Sequence, residues 1–197
     1  PEVVRRWHEL TGAQLLDGYG QTETLMTVLN YPCMPVKPGS MGKPIPGTRS
    51  EILGEDCSVL GDGEEGQLAM QLPNPQFMLG YWNNPARTQE AIKRVAGTDY
   101  WLTGDLAVRD SEGYLFYTGR ADDIISSAGY RIGPTEVENA LIEHPAVVES
   151  AVVARPDQER GEIVKAFVVL RAGFQPSDKL VEELQRHVQK VTAPYKY

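Results

Sequence analysis

The stretch Tyr100–Glu138, YWLTGDLAVRDSEGYLFYTGRADDIISSAGYRIGPTEVE, constrains this chain most. It sets acidic residues beside glycines at Gly104-Asp105 and Glu112-Gly113, then an Arg/Asp-rich turn at Gly119-Arg120-Ala121-Asp122-Asp123. Tyr114 to Thr118 alternates as a strand does, and that pattern stops at Gly119. Two short strands joined by the small-residue loop Ser126–Gly129 follow. Thr135 with Glu138 then matches a capping box opening a helix from about Glu136 to Glu143, closed by His144-Pro145. The change from β punctuation to helix punctuation marks a joint between two domains, placed at Gly119 to Asp122.

Upstream, Pro1 to Leu10 reads as a helix with Val3, Trp7 and Leu10 at helical spacing. Ala13–Asp17 reads as a short strand running into Gly18-Tyr19-Gly20-Gln21-Thr22-Glu23-Thr24. Glycines let backbone N–H groups approach a ligand, a Thr hydroxyl can bond phosphate, and a Glu can hold Mg²⁺. A polar loop with an N-capping Thr is the other reading, and the local pattern leaves both open. The same holds for Asp105: Asp at a strand end beside Gly suits a ribose diol, and equally a simple turn. With the Tyr100–Glu138 stretch, these corners read as the rim of a nucleotide site. Residues 30–46 are Pro- and Gly-rich and predict a long irregular connection. Thr48–Leu53, Gly66–Leu72 and Gly113–Thr118 predict short strands of a small barrel-like subdomain, and Ala86–Lys93 a helix. The aromatics of Gly80-Tyr81-Trp82 read as core packing. Val147–Ala154 and Ile163–Leu170 predict strands, and Ser177 caps a final amphipathic helix.

Charge narrows the partners. The 19 basic and 27 acidic residues leave a net charge of −8. That opposes nucleic acid binding, which needs a basic face to neutralise phosphate. It also opposes docking on an anionic membrane surface. No apolar run reaches the roughly 20 residues of a membrane helix. Cys33 and Cys57 lack metal-ligand spacing and fit a reducing compartment.

Four motifs in fixed order make the pattern specific. Tyr19-Gly20-Gln21-Thr22-Glu23, Tyr100–Asp105, Gly119–Asp123 continuing through Gly129–Ile132, and Pro134–Glu138 together resemble the adenylate-forming superfamily. That group comprises acyl-CoA synthetases, peptide-synthetase adenylation domains and firefly-type luciferases. The wording GYRIGPTEVENALIEHPAVVESAVV and VTAPYKY is most similar to medium-chain acyl-CoA synthetases.

The resemblance implies an α/β plus α+β fold. Residues 1–119 would be the end of the large AMP-binding domain with its barrel-like subdomain, and 120–197 a small mobile lid. It implies an AMP-forming acid–thiol ligase using ATP, Mg²⁺ and CoA on a small-molecule carboxylic acid. Gly18 and Tyr19 would flank the adenine, with Gln21 nearby orienting the loop. Thr22 would contact the α-phosphate and Glu23 would hold Mg²⁺. Asp105 and Arg120 would bind the ribose, and Asp122 would be the lid's hinge. Gly129 would border the CoA channel and Arg131 pair with phosphate in the thioester-forming state. Acetyl-CoA synthetases carry Trp where this chain has Gly20, so Gly there implies room for a longer or aromatic acid.

The family's phosphate loop would lie before Pro1 and its lid lysine beyond Tyr197; Lys196 belongs to the APYKY lead-in. The expectation is therefore a fragment truncated before the catalytic lysine and inactive alone, with a homodimer as a candidate assembly. Location would be cytoplasmic, or the mitochondrial matrix if eukaryotic. The rival readings are an adenylation domain loading a carrier protein and a non-catalytic nucleotide-binding module.

Overall fold

A computed structural model describes residues 2–193. Lys196, assigned to the APYKY lead-in, and Pro1, assigned to the first helix, lie outside the described residues. The chain divides into two compact units, Pro1–Tyr117 and Thr118–Tyr197, and each has its own core.

The first unit begins with α1 (Glu2–Thr11), whose Val3, Trp7 and Leu10 side chains are exposed. The strand expected at Ala13–Asp17 does not form. The glycine-bracketed segment itself is the strand: β1 (Gly18–Gln21) pairs antiparallel with β2 (Leu25–Leu29), which pairs with β3 (Lys43–Pro44). A strand needs a partner for its N–H and C=O row, and β2 offers its free edge to Gly18–Gln21, while Ala13–Asp17 pairs with no strand among the described residues.

The second sheet of this unit runs β4 (Ser50–Leu53), β5 (Glu65–Gln71), β7 (Thr98–Arg109) and β6 (Ile92–Val95), with β8 (Leu115–Arg120) also on β7. Helix α2 (Pro85–Glu90) is shorter than predicted, because Ile92–Val95 turns back on Thr98–Trp101 through Ala96-Gly97. Both turn residues have positive φ, 48° and 87°, the type I′ geometry that matches strand twist. Val28, Ile52, Leu68, Met70, Trp101 and Leu115 form a core shared by the two sheets.

The irregular 30–46 connection is pinned rather than loose. Asn30 Nδ2 donates to Asp17 O and Ser40 O, Ser40 Oγ donates to Leu115 O, and Met41 N donates to Leu115 O. Lys37 Nζ donates to Asp110 Oδ2 at 2.5 Å and Glu112 Oε1 at 2.6 Å, tying this segment to the β7–β8 turn.

The second unit carries a sheet of order β10 (Tyr130–Ile132), β9 (Ile125–Ser127), β12 (Gly161–Leu170) and β11 (Val147–Asp157). Helices α3 (Pro134–Ile142) and α4 (Asp178–Val191) share its core of Ile125, Ile132, Val137, Leu141, Val152 and Leu184. The predicted capping box is absent. Gly133 is the N-cap of α3 with Pro134 at N1, and no side chain caps it. Pre-set φ suits Pro to that place, which puts Thr135 inside the helix. Glu138 Oε1 instead accepts the Val152 N–H at 2.8 Å, fastening α3 to β11. Ser177 does cap α4, accepting from Leu180 N at 3.2 Å. His144 Nδ1 accepts the Ala146 N–H at the α3–β11 corner, which directs Nε2 at Glu183 Oε1, 3.3 Å away.

Ser177→Ala is expected to cost about 1 kcal/mol of stability, whereas Thr135→Ala should stay within about 0.5 kcal/mol; urea unfolding of each variant measures both. The Lys37 bridge predicts a pH response. Its hydrogen bonds hold Asp110 below the usual carboxylate range and Lys37 above the usual amine range. The Asp110 contribution is full above its unfolded pKa and is lost as pH falls through its depressed folded one; the Lys37 contribution is full below its unfolded pKa and is lost as pH rises through its raised folded one. Lys37→Met should flatten both the acid and the alkaline decline in unfolding free energy, read from urea titrations across pH.

Candidate functional site

Asp105 is not at a strand end, as its sequence context suggests. It lies inside the twelve-residue β7. Pairing with β5 holds Leu106 opposite Gln67 and Leu102 opposite Ala69, so Thr103-Gly104-Asp105 face the single residue Leu68. Gly104 takes φ 74° there. An enlarged bulge of this kind bends the strand and re-aims a side chain. Thr103 anchors it: its Oγ1 donates to Leu68 O at 2.7 Å and accepts from Asp105 N at 3.1 Å.

The Asp105 side chain is only 5% exposed, and a buried carboxylate needs hydrogen bonds to repay lost hydration. The β1 strand supplies two. Tyr19 Oη donates to Asp105 Oδ2 at 2.5 Å, and Gln21 Nε2 donates to the same oxygen at 2.8 Å. Gln21 Nε2 also donates to Thr103 O at 2.8 Å. Two motifs more than eighty residues apart thus meet at one carboxylate.

The hairpin between β1 and β2 is closed by Thr22-Glu23-Thr24. Thr22 is exposed, Glu23 half-buried, and Thr24 fully buried with its Oγ1 accepting from Gln21 N. Leu25 adopts φ 53°, the left-handed residue that completes such a turn. Gly20 has a local reason independent of any acid pocket. A Cβ there would sit 2.0 Å from Leu25 O, so β2 passes too close for any side chain. A Cβ on Gly18 would overlap the Leu29 and Met26 side chains, at 2.5 and 2.7 Å.

Two groups were missed by sequence reasoning. Tyr81 was read as core packing, and its ring does tilt against Trp101 at 6.2 Å between centroids. Its hydroxyl, however, donates to Glu23 Oε1 at 2.9 Å. Burial pushes the Tyr81 phenol up, and its hydrogen bond to Glu23 adds to that. Trp82 is corrected outright: it is exposed at the surface, not core. The second missed group is Gln76, whose Nε2 donates to Thr24 O and Met26 O and braces the hairpin. Its only sequence signal was a polar residue in a Pro/Asn-rich loop.

In the second unit, Arg120 Nη2 donates to Asp122 Oδ2 at 2.6 Å, so the predicted ribose donor and predicted hinge are partners. Gly129 forms a second Ala-Gly turn, between β9 and β10, with φ 48° at Ala128 and 84° at Gly129. A Cβ on Gly129 would meet nothing within 4 Å. Arg131 is exposed on β10. A cavity of about 790 Å³ between α3, β12 and α4 is lined by Val137, Leu141, Val168, Phe174 and Leu184, and contains none of the predicted site residues.

Among the described residues no cluster of three or more His, Cys, Asp or Glu could cage a metal. A lone half-buried Glu23 suits Mg²⁺, which takes one or two carboxylates and completes its octahedron with water and substrate phosphate.

Two family patterns match. "AMP-binding enzyme" covers residues 1–82 and "AMP-binding enzyme C-terminal domain" residues 136–197. The chain belongs to the adenylate-forming superfamily. Among adenylate-forming proteins it is 52% identical to the human mitochondrial acyl-coenzyme A synthetase ACSM4 across its whole length, which is 34% of that protein. Its fold matches an ATP-bound RpMatB-BxBclM chimera with TM-score 0.90 at 34% identity, over 99% of this chain and 38% of that one. It also matches the anthranilate CoA ligase AuaEII in complex with anthranoyl-AMP, with TM-score 0.81 at 33% identity, over 98% of this chain and 36% of that one. The chain therefore spans about a third of the length of these adenylate-forming relatives.

Gly20→Ala is expected to lower Tm more than Gly129→Ala does. The first meets backbone, and the second carries only the positive-φ penalty of about 1–2 kcal/mol. Differential scanning calorimetry of the two variants checks the order.

Proposed function

We propose that the chain forms part of the nucleotide and thioester machinery of an AMP-forming acyl-CoA synthetase, with a medium-chain or aromatic carboxylic acid as substrate. The observation that carries this reading is the convergence of Tyr19 and Gln21 on the buried Asp105 carboxylate. A carboxylate held by neutral donors is an acceptor for a sugar diol, and the aromatic ring beside it offers a face to adenine. The family membership and the ATP and acyl-adenylate named for the structural relatives support the same ligand.

On this reading the first unit is the end of the large AMP-binding domain, its second sheet belonging to the barrel-like subdomain. The second unit is the mobile lid, swinging about Asp122. In the first half-reaction the acid's carboxylate oxygen attacks the α-phosphorus of ATP, giving acyl-AMP and pyrophosphate. In the second the CoA thiol attacks the acyl carbonyl, the thioester C–S bond forms, and AMP leaves with the C–O bonding pair. Asp105 accepts from the ribose hydroxyls, Arg120 donates to the same ribose, and Gly18 with the Tyr19 ring borders the adenine. Thr22 donates its hydroxyl proton toward the α-phosphate. Glu23, oriented by Tyr81, would hold Mg²⁺, which supplies charge neutralisation of the phosphates when bound. Gly129 leaves the CoA thiol's approach open, and Arg131 pairs with a phosphate in the second half-reaction. Two half-reactions around one nucleotide need two sets of groups, which a hinged lid presents in turn. The location is the cytoplasm, or the mitochondrial matrix if the protein is eukaryotic, which the mitochondrial label of the human relative supports.

The test assays the enzyme that carries this sequence with ATP, CoA and acetate, butyrate, octanoate or benzoate. Gly129→Leu should leave acid-dependent ATP–pyrophosphate exchange within a few-fold of wild type and abolish acyl-CoA formation. Gly97→Leu, in the matching Ala-Gly turn at φ 87°, controls for turn strain and should spare both. Equal loss of both half-reactions in Gly129→Leu alone would overturn the lid assignment.

A further inference from the structure

We propose that Gln21 is the positioning residue for the nucleotide ribose, acting through Asp105 rather than touching the nucleotide. This rests on the nucleotide-site reading above and adds to it a residue whose role is to hold the carboxylate's rotamer.

The geometry is specific. The Gln21 amide bridges two acceptors on the same bulge, Thr103 O at 2.8 Å and Asp105 Oδ2 at 2.8 Å. Both protons of one Nε2 are thereby used, and they fix the side-chain oxygen relative to the backbone two residues before it. The backbone end is equally fixed. Thr103 Oγ1 is held between Leu68 O and Asp105 N. Thr103 and Asp105 are both buried, so these bonds lie where water competes poorly and directional hydrogen bonds count for more. Gln21 is itself held, since its backbone N–H is bonded to the buried Thr24 hydroxyl.

Tyr19 Oη shares Asp105 Oδ2 with Gln21, but the two differ in kind. The phenol brings a hydroxyl to Asp105 Oδ2, a place that a ribose hydroxyl can take. The Gln21 amide spans carboxylate and main chain together, so a sugar hydroxyl cannot replace it. A bidentate diol contact needs both carboxylate oxygens in one orientation, and a pre-set rotamer spares that ordering cost on binding. The bulge alone does not set it, because it fixes the Asp105 main chain and leaves χ1 and χ2 to side-chain partners.

The experiment compares AMP with 2′,3′-dideoxy-AMP, titrated by calorimetry into the enzyme that carries this sequence. Wild type should bind AMP at least ten-fold more tightly. Gln21→Met keeps the side-chain length and removes both donors. It should bring that ratio below about three-fold while leaving dideoxy-AMP affinity within two-fold of wild type. Gln21→Ala should behave the same way, and urea unfolding confirms that each variant is folded. An unchanged ratio in folded Gln21→Met, or an equal loss for both ligands, would overturn the positioning role and leave the nucleotide site standing. Failure of the wild-type enzyme that carries this sequence to bind either nucleotide would overturn the site reading itself, and this inference with it.

Discussion

The first unit depends on one buried charge. Asp105 sits inside a strand, where a carboxylate costs several kcal/mol unless its oxygens are bonded. Its named donors come from β1, which belongs to a different sheet. The requirement to satisfy that carboxylate therefore fastens the β1–β2 hairpin against the β5–β7 sheet at a defined register. The Gly-Tyr-Gly-Gln segment pairs with β2 and reaches Asp105 from that strand. The close pass at Gly20, where a Cβ would strike Leu25 O, follows from the same constraint. A function that needs an acceptor for a ligand and a fold that needs a donor for an anion have been met by the same atoms.

The turn that closes the hairpin shows the same economy. Thr24 is buried so that its hydroxyl can accept from Gln21 N, which leaves Thr22 and Glu23 at the outer side of the turn. Glu23 is then held from the neighbouring loop by Tyr81, whose ring packs on Trp101 of β7. Trp101 and Asp105 lie on the same strand. The proposed phosphate-side and ribose-side groups thus share one rigid support rather than two loops, which is the arrangement that keeps a site precise.

Much of this was legible in the sequence, and the misses have a common cause. Helix α4 was readable because Ser177 and the apolar spacing act locally. The Tyr19–Glu23 and Asp105 motifs could be recognised, but their meeting could not be derived from local pattern: it depends on a bulge created when three residues face Leu68. The strand wrongly placed at Ala13–Asp17 failed because apolar composition does not create a pairing partner. The Thr135–Glu138 box failed because Pro134 at N1 moved the helix start and β11 offered Glu138 a buried N–H. The Ile92–Val95 strand was hidden by its Ala-Gly turn. Ala is a poor left-handed residue, so the usual Asn-Gly or Asp-Gly signal was missing. The same Ala-Gly pair recurs at Ala128-Gly129, where the small residues had already suggested a loop.

The two units differ in how their cores are built, and this bears on the proposed lid. Every residue of the second core lies between Ile125 and Val188, and every buried residue of the first unit's clusters lies between Val28 and Leu115. Neither core borrows a buried apolar side chain from the other. In the segment that connects them, Arg120 and Asp122 pair with each other. That pair is substantially exposed, and surface ion pairs of this kind contribute only about 0–1 kcal/mol. A swing about Asp122, as proposed above, would leave the buried residues of each core among their own neighbours. A hinge placed a few residues later, at Ile125, would have to expose a side chain that is fully buried in the second core. The proposed pivot at Asp122 lies between Leu115, the last buried residue of the first unit's clusters, and Ile125, the first of the second core.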